Sequence, residues 1–419
     1  MGMVVENKHA FIKGLSTTSI ALPGSSIEDA SKTLETFDLP TTRTEAWKYT
    51  RVAKLGKIDF HSNTQEVSDT SSYIIDESAL TLIFVNGYLS QELSNSLPTG
   101  LSCKQLSACS SEELKHTGIK HGKEVFNALN TCYLNDGIWI EIAKNAVVDQ
   151  PIQIIHITKG EKQLTNFRTV VTARAFSKAS IIQGFFSEDS DQSFTNSITE
   201  IIVEENAHLT LDKLQYEEET TTHINSEYVN QAKDSTFTLN TITLNGGLVR
   251  NNIHVNVNGQ NCTTNMNGAY LLKGKQHVDN HTTVDHIAAN CNSNELYKGV
   301  IDEKATAVFN GKVFVRKDAQ KINAFQSNGN VLLSDDANVN SKPELEIYAD
   351  DVKCSHGSTT GQLDEEAVFY LRARGLSEKS ARKLMVSAFI GEVLEHLEND
   401  SVVSYIERLL KERFGWDFN

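Results

Sequence analysis

The stretch TFTLNTITLNGGLVRNNIHVNVNGQNCTTNMNGAYLL, residues 236–272, decides the fold. Apolar or β-branched residues alternate with polar ones, the period of a pleated strand, and Asn-Gly, Gly-Gly and Asn-Cys breaks interrupt them at short intervals. The same pattern extends outward in both directions. WIEIA, IQIIHIT, FRTVVTARA, SIIQGFF, ITEIIV and HLTLDKL precede it, and TAVFNGKVFVR, VLLS and LEIYA follow. From Gly137 to Tyr348 no 3.6-residue period of useful length intervenes. Sandwiches and barrels are built from such strands, but a span of this length usually exceeds one sandwich. The near-regular beat and the Asn-rich turns favour a solenoid of stacked strands, a parallel β-helix.

The flanks differ. Near the N-terminus Ser25-Ser-Ile-Glu28 matches a capping box before a short helix, IEDASKTLETF, which ends ahead of Leu39-Pro40. A second helix is predicted over Thr44–Leu55 and another helical stretch within 108–130; between them lie a polar loop (61–72), the strand ALTLIFV and an Asn86-Gly87 turn. At the other end Asp364 is placed to cap EEAVFYLRAR, Gly375 to end it and Ser377 to open the next helix. That helix carries an apolar stripe at Ala381, Leu384, Met385, Ala388 and Phe389, and a third, VVSYIERLLKERF, follows Asn399-Asp400. The expected organisation is a mixed N-terminal region (1–135), a β-helix core (136–350) and a C-terminal helical subdomain (351–419).

Composition narrows the function. A formal net charge of −15 opposes nucleic acid and anionic membrane surfaces as main partners. No run approaches the ~20 apolar residues that span a bilayer, no secretory leader is visible, and Glu6 breaks a myristoylation pattern at Gly2. A cytoplasmic protein is expected. The six cysteines (103, 109, 132, 262, 291, 354) include no CxxC pair, so a preformed four-thiolate centre is not expected from this chain alone. Phosphate-loop, Rossmann and nucleophile-elbow patterns are missing, and runs such as Glu217-Glu218-Glu219 read as solvated faces. An enzyme is not indicated.

Two segments offer metal-binding chemistry. In Cys354-Ser-His356 a thiol and an imidazole at i and i+2 of an extended segment project to one side, ~7 Å apart, suited to one iron or a cluster edge. A buried thiol beside a hydrogen-bonded histidine is the plainer alternative. In GKQHVDNHTTVDH (274–286), His277, Asp279 and His281 share a strand face, and Zn, Fe or Mn would suit them. Three ligands on one straight strand span too far for a single ion, which favours a structural polar ladder. Two other functions compete: a β-helix polysaccharide lyase, usually secreted and dependent on an Arg or Lys base, and a homodimeric metal-binding protein using His277 and His281.

The strings HVDNHTTVDH, NSNELYKGV, AVFNGKVFVRKDAQKINAFQSN, LLSDDANVNSKPELEIYADDVKCSHG and GQLDEEAVFYLRARG, within 277–375, closely resemble the SufB/SufD family of iron–sulfur cluster assembly proteins. KCSHG followed by TTGQLDEE is similar to the SufD form, whereas the SufB form carries a CEHEA-like string; RTEAWKYT and FVNGYLSQELS also fit. The resemblance implies a right-handed parallel β-helix between helical regions, in a non-catalytic scaffold paired with SufB and with the ATPase SufC. It implies that the C-terminal helices dock SufC, with Leu384, Met385, Ala388 and Phe389 as the contact, and that His356, with Cys354 beside it, joins SufB in holding a nascent cluster. ATP would enter through SufC only. The resemblance also implies reduced flavin in the complex, at no site this sequence marks. A homodimer that reuses the SufB-facing surface is a further expectation for the chain alone.

Overall fold

A computed structural model describes residues 12, 14–16, 18, 20, 22, 26–92, 97–115, 117–119 and 122–415. Ser25, the Gly2/Glu6 pair and the end of FVNGYLSQELS lie outside them.

Alternating strands make two facing sheets, one of ten strands and one of nine, and consecutive strands alternate between the sheets along most of the chain. Pairing along the stack is parallel; among the described residues only Leu80–Val85 with Tyr88–Glu92 and Leu101–Gln105 with Asp136–Ile142 pair antiparallel, at the starting end. Each turn therefore brings a strand onto the strand one coil earlier. The coil length varies, 26 residues from Thr222 to Leu248 and 32 from Thr306 to Asn338. This is the parallel β-solenoid expected from the alternation, and the sandwich alternative falls away.

The ladder extends past the expected span at both ends. Leu80–Val85 pairs in parallel with Ile152–Lys159, and the last strand, Val352–Gln362, pairs with Ile322–Leu332. One corner explains the Asn-rich turns. Asn145, Phe176, Asn206, Asp234, Asn261, Asn290 and Lys321 all have positive φ, and each backbone N–H donates to a carbonyl one turn further on. Asn and Asp tolerate this left-handed conformation better than most side chains.

Between the sheets lies an apolar interior that includes Leu211, Leu239, Phe237 and Met266. The outer face of the nine-stranded sheet is covered by helices α1 (Ile27–Thr36) and α2 (Val125–Cys132), with Trp47, Val52 and Leu55. α3 (Glu365–Ala373), α4 (Glu378–Leu394) and α5 (Asp400–Phe414) follow the last strand, and α4 and α5 cover the ten-stranded sheet. The expected caps form. Asp364 accepts from the N–H groups of Glu366 and Ala367, Ser377 from that of Ser380, and Gly375 takes φ +99°. α1 is capped by Ser26, which accepts from the Asp29 N–H.

One helix expected from the sequence is corrected, and another is placed at the end of its window. Thr44–Leu55 holds only short 3₁₀ turns, Glu45–Trp47 and Leu55–Lys57. Trp47, Thr50, Val52 and Leu55 are all buried, and residues at those spacings would spread over about 200° of a helix, more than one face; a flat segment lets each of them reach the surface beneath. The short helical stretch expected within 108–130 is Val125–Cys132, which follows Gly118 and Gly122, both at positive φ.

Candidate functional site

The solenoid ends in an uncapped turn. Val352–Gln362 and Asn338–Ile347 are the outermost strands of their sheets. Residues 353 and 355–362 are exposed, and among the described residues one edge of backbone N–H and C=O groups on each strand has no strand to pair with. Exposed Phe325, Ile347 and Tyr348 lie on or beside this end. The feature invites a second chain.

Cys354 and His356 stand on the last strand. Cys354 is in register with Ala324 and His356 with Gln326, both buried residues of the preceding turn. The two side chains thus share the phase that faces inward on every earlier turn, yet His356 is exposed and Cys354 only half-buried, since no further turn lies above them. Burial raises the pKa of the Cys354 thiol, an effect that a hydrogen bond from the Ala324 backbone opposes. Beside them Ser358 donates to Ser341 (2.7 Å), which donates to Asn328 (2.8 Å). The end of the solenoid therefore presents a thiol, an imidazole and hydroxyls around its mouth.

His277, Asp279 and His281 do come together on one outer face, but around a different job. Asp279 accepts from Arg250 (2.5 Å) and Thr50 (2.5 Å), and its other oxygen lies 3.0 Å from His281 Nε2; His277 Nε2 is 2.8 Å from the Thr50 hydroxyl. Burial opposes ionisation of Asp279, yet Arg250 and His281 hold its carboxyl far below the usual range. The Arg250 guanidinium lies 3.8 Å from the Trp47 ring centroid. This cluster clamps the Trp47–Thr50 segment onto the sheet. His286 points the other way, inward, to Ser293 (2.9 Å). Among the described residues no group of three or more His, Cys, Asp or Glu side chains is arranged to hold a metal ion.

The stripe on α4 splits. Met385 and Phe389 are half-buried against the solenoid, Phe389 under the Lys298 ammonium (4.5 Å), while Leu384 is 48% exposed and Ala388 is exposed. A longer stripe, Val386, Ile390, Val393 and Leu394, continues to Leu397 and docks the helix. It has more apolar surface to bury, so it sets the rotation of the helix. Phe369, Tyr370 and Leu376, on and just after α3, are exposed as well.

The alternation did not reveal the polar interior. Lys213 and Glu227 form an ion pair (2.6 Å) with no solvent exposure, and buried Glu295 accepts from Gln326 (2.5 Å). Stacking the strands in register is the signal that finds them.

The architecture is thus a parallel β-solenoid with an exposed last turn that carries Cys354 and His356, and with helices along its flanks. Residues 156–389 match the family described as SUF system FeS cluster assembly, SufBD core domain, and residues 13–154 match the SufBD protein N-terminal region. The chain is 34% identical to an iron–sulfur cluster assembly SufBD family protein of Synechocystis, over 88% of this chain and 86% of that one. It is 32% identical to the iron–sulfur cluster assembly protein SufD of Escherichia coli (87% and 86% covered) and 25% identical to SufD of Bacillus subtilis (70% and 69%). The chain belongs to the SufB/SufD family, on its SufD side, and its role lies in iron–sulfur cluster assembly. Among the described residues no helix is long and apolar enough to cross a membrane.

Proposed function

We propose that this chain is a non-catalytic scaffold subunit of a cytoplasmic SufBCD complex. Its open last turn pairs with SufB, and His356, with Cys354 beside it, supplies part of the ligand set for the iron–sulfur cluster, which is cargo. The observation that carries this reading is the placement of both side chains in the inward phase of an exposed, unpaired end. One imidazole and one thiol leave ligand positions open on any cluster, so a partner must complete the set. ATP acts through SufC alone, and reduced flavin belongs to the assembled complex, with no residue of this chain assigned to it. Without SufB, the same edge pairs with a second copy.

Substituting His356→Ala in the complex tests the ligand role. Anaerobic reconstitution followed by visible absorption is expected to show cluster formation lost while the complex still co-purifies; undiminished cluster formation refutes it. SufC docking is assigned to the free face of α3 and α4: Phe369, Tyr370, Leu376, Leu384 and Ala388. Met385 and Phe389 contribute by holding α4 on the solenoid. Phe369→Ser with Leu384→Ser is expected to release SufC from an affinity-purified complex with the melting temperature unchanged, and full retention of SufC counts against this assignment.

A further inference from the structure

One inward column of the ten-stranded sheet changes character along its length. In register, Leu211 is followed by Leu239 and Met266, then by Glu295, Gln326 and finally His356. The five below His356 are all buried. Glu295 and Gln326 thus stand where apolar side chains fill the earlier turns. A carboxylate without a cation there costs stability; Gln326 Nε2 donates to one oxygen, and the Thr282 hydroxyl is the other hydrogen-bonding group beside the carboxyl. The Oε1 of Gln326 is without a partner. Space for the Gln326 side chain is made from the opposite sheet, where Gly311 replaces a side chain; a Cβ there would lie 2.2 Å from Gln326 Nε2.

We propose that Glu295 and Gln326 are positioning residues for His356. Glu295 holds the Gln326 amide by its NH₂ group, which leaves the Gln326 carbonyl oxygen, unpartnered in this structure, as the acceptor for a ring N–H of His356 when that exposed side chain folds over it. Neighbouring strands lie ~4.8 Å apart, within reach of an amide and a ring on adjacent turns. A neutral imidazole has one N–H and one lone pair, so anchoring the N–H selects the tautomer and leaves the other nitrogen to bind metal. Burial pushes the Glu295 carboxyl up to about 7, which fits a group that serves through hydrogen bonds and has no cation to neutralise it. The inference rests on the reading of His356 as a cluster ligand.

The test reads the tautomer on the full chain without iron. The protein is labelled with ¹⁵N-histidine, and the His356 ring signals are assigned by their loss in His356→Ala. Their nitrogen shifts are recorded where the ring is neutral. One dominant tautomer is expected in the unaltered chain, lost toward the mixture of free histidine in Gln326→Leu and retained in Glu295→Gln, whose amide oxygen still accepts from Gln326. A mixed population in the unaltered chain overturns the proposal without any variant, as does an unchanged population in Gln326→Leu. In the reconstituted complex Gln326→Leu is expected to slow cluster formation by ~10-fold or more, the scale of lost support behind a ligating histidine; an unchanged rate overturns the functional half. Undiminished cluster formation in His356→Ala would instead remove the ligand reading and leave the tautomer result standing.

Discussion

The middle of the solenoid and its last turn use the same strand geometry to opposite ends. At Leu239 and Met266 the inward side chain meets another turn above and below and is sealed from water. At His356 the same phase of the same sheet is exposed, because the stack stops there. In a stacked fold, an interior position becomes accessible wherever the stacking ends. The transition takes two turns, Glu295 and Gln326, which are buried like the middle and polar like the end.

Three perturbations break or sharpen this contrast. The largest effect is expected in the sealed middle. Lys213→Ala strands the fully buried Glu227 carboxylate, whose ammonium partner lies at 2.6 Å, and should cost about 3–5 kcal/mol in urea unfolding. A loss below about 1 kcal/mol would mean that water reaches this interior.

The transition turn should respond to pH. The Glu295 carboxyl is raised from 4.5 to about 7 in the folded chain by burial, so the folded state binds its proton more tightly than the unfolded state. Its cost is absent below the unfolded value, grows as pH rises and is complete above about 7. Glu295→Gln removes this dependence. Relative to the unaltered chain it should gain stability between pH 4.5 and 7, by up to about 3 kcal/mol, with little difference at lower pH. Parallel denaturation curves with no pH-dependent gap would show that the carboxylate is compensated.

At the open end the stability effect should nearly vanish. His356→Ala is expected to shift unfolding by no more than about 0.5 kcal/mol, as for an exposed side chain, and to act only on cluster formation. A loss as large as that of Lys213→Ala would make His356 a structural residue and erase the contrast.

Much of this was legible in the chain. Period-two alternation marks the strands, the Asn, Asp and Gly breaks mark their corners, and Asp364, Gly375 and Ser377 bound their helices as read. These are local signals, set by backbone conformation within a few residues. The Thr44–Leu55 helix failed because tertiary burial of Trp47 and Thr50 outweighed a helix-compatible composition. The α4 stripe was misassigned because that helix carries two apolar faces and the sequence does not say which one meets the sheet.

The site divides in the same way. The i, i+2 spacing of Cys354 and His356 placed them on one side of a strand, but did not say which side. Their inward phase, and the Glu295 and Gln326 beneath them, follow from register between residues 30 and 31 positions apart, through Gln326 to His356 and Glu295 to Gln326. Coil lengths from 26 to 32 residues hide that register from any fixed repeat. The sequence by itself determined the strands, their corners, the caps of the C-terminal helices and the spacing of Cys354 and His356, because each depends on neighbours along the chain. Only the tertiary structure decided what stands above and below each residue, because the hydrogen bonds between turns, and the closure of each turn over the last, set that order.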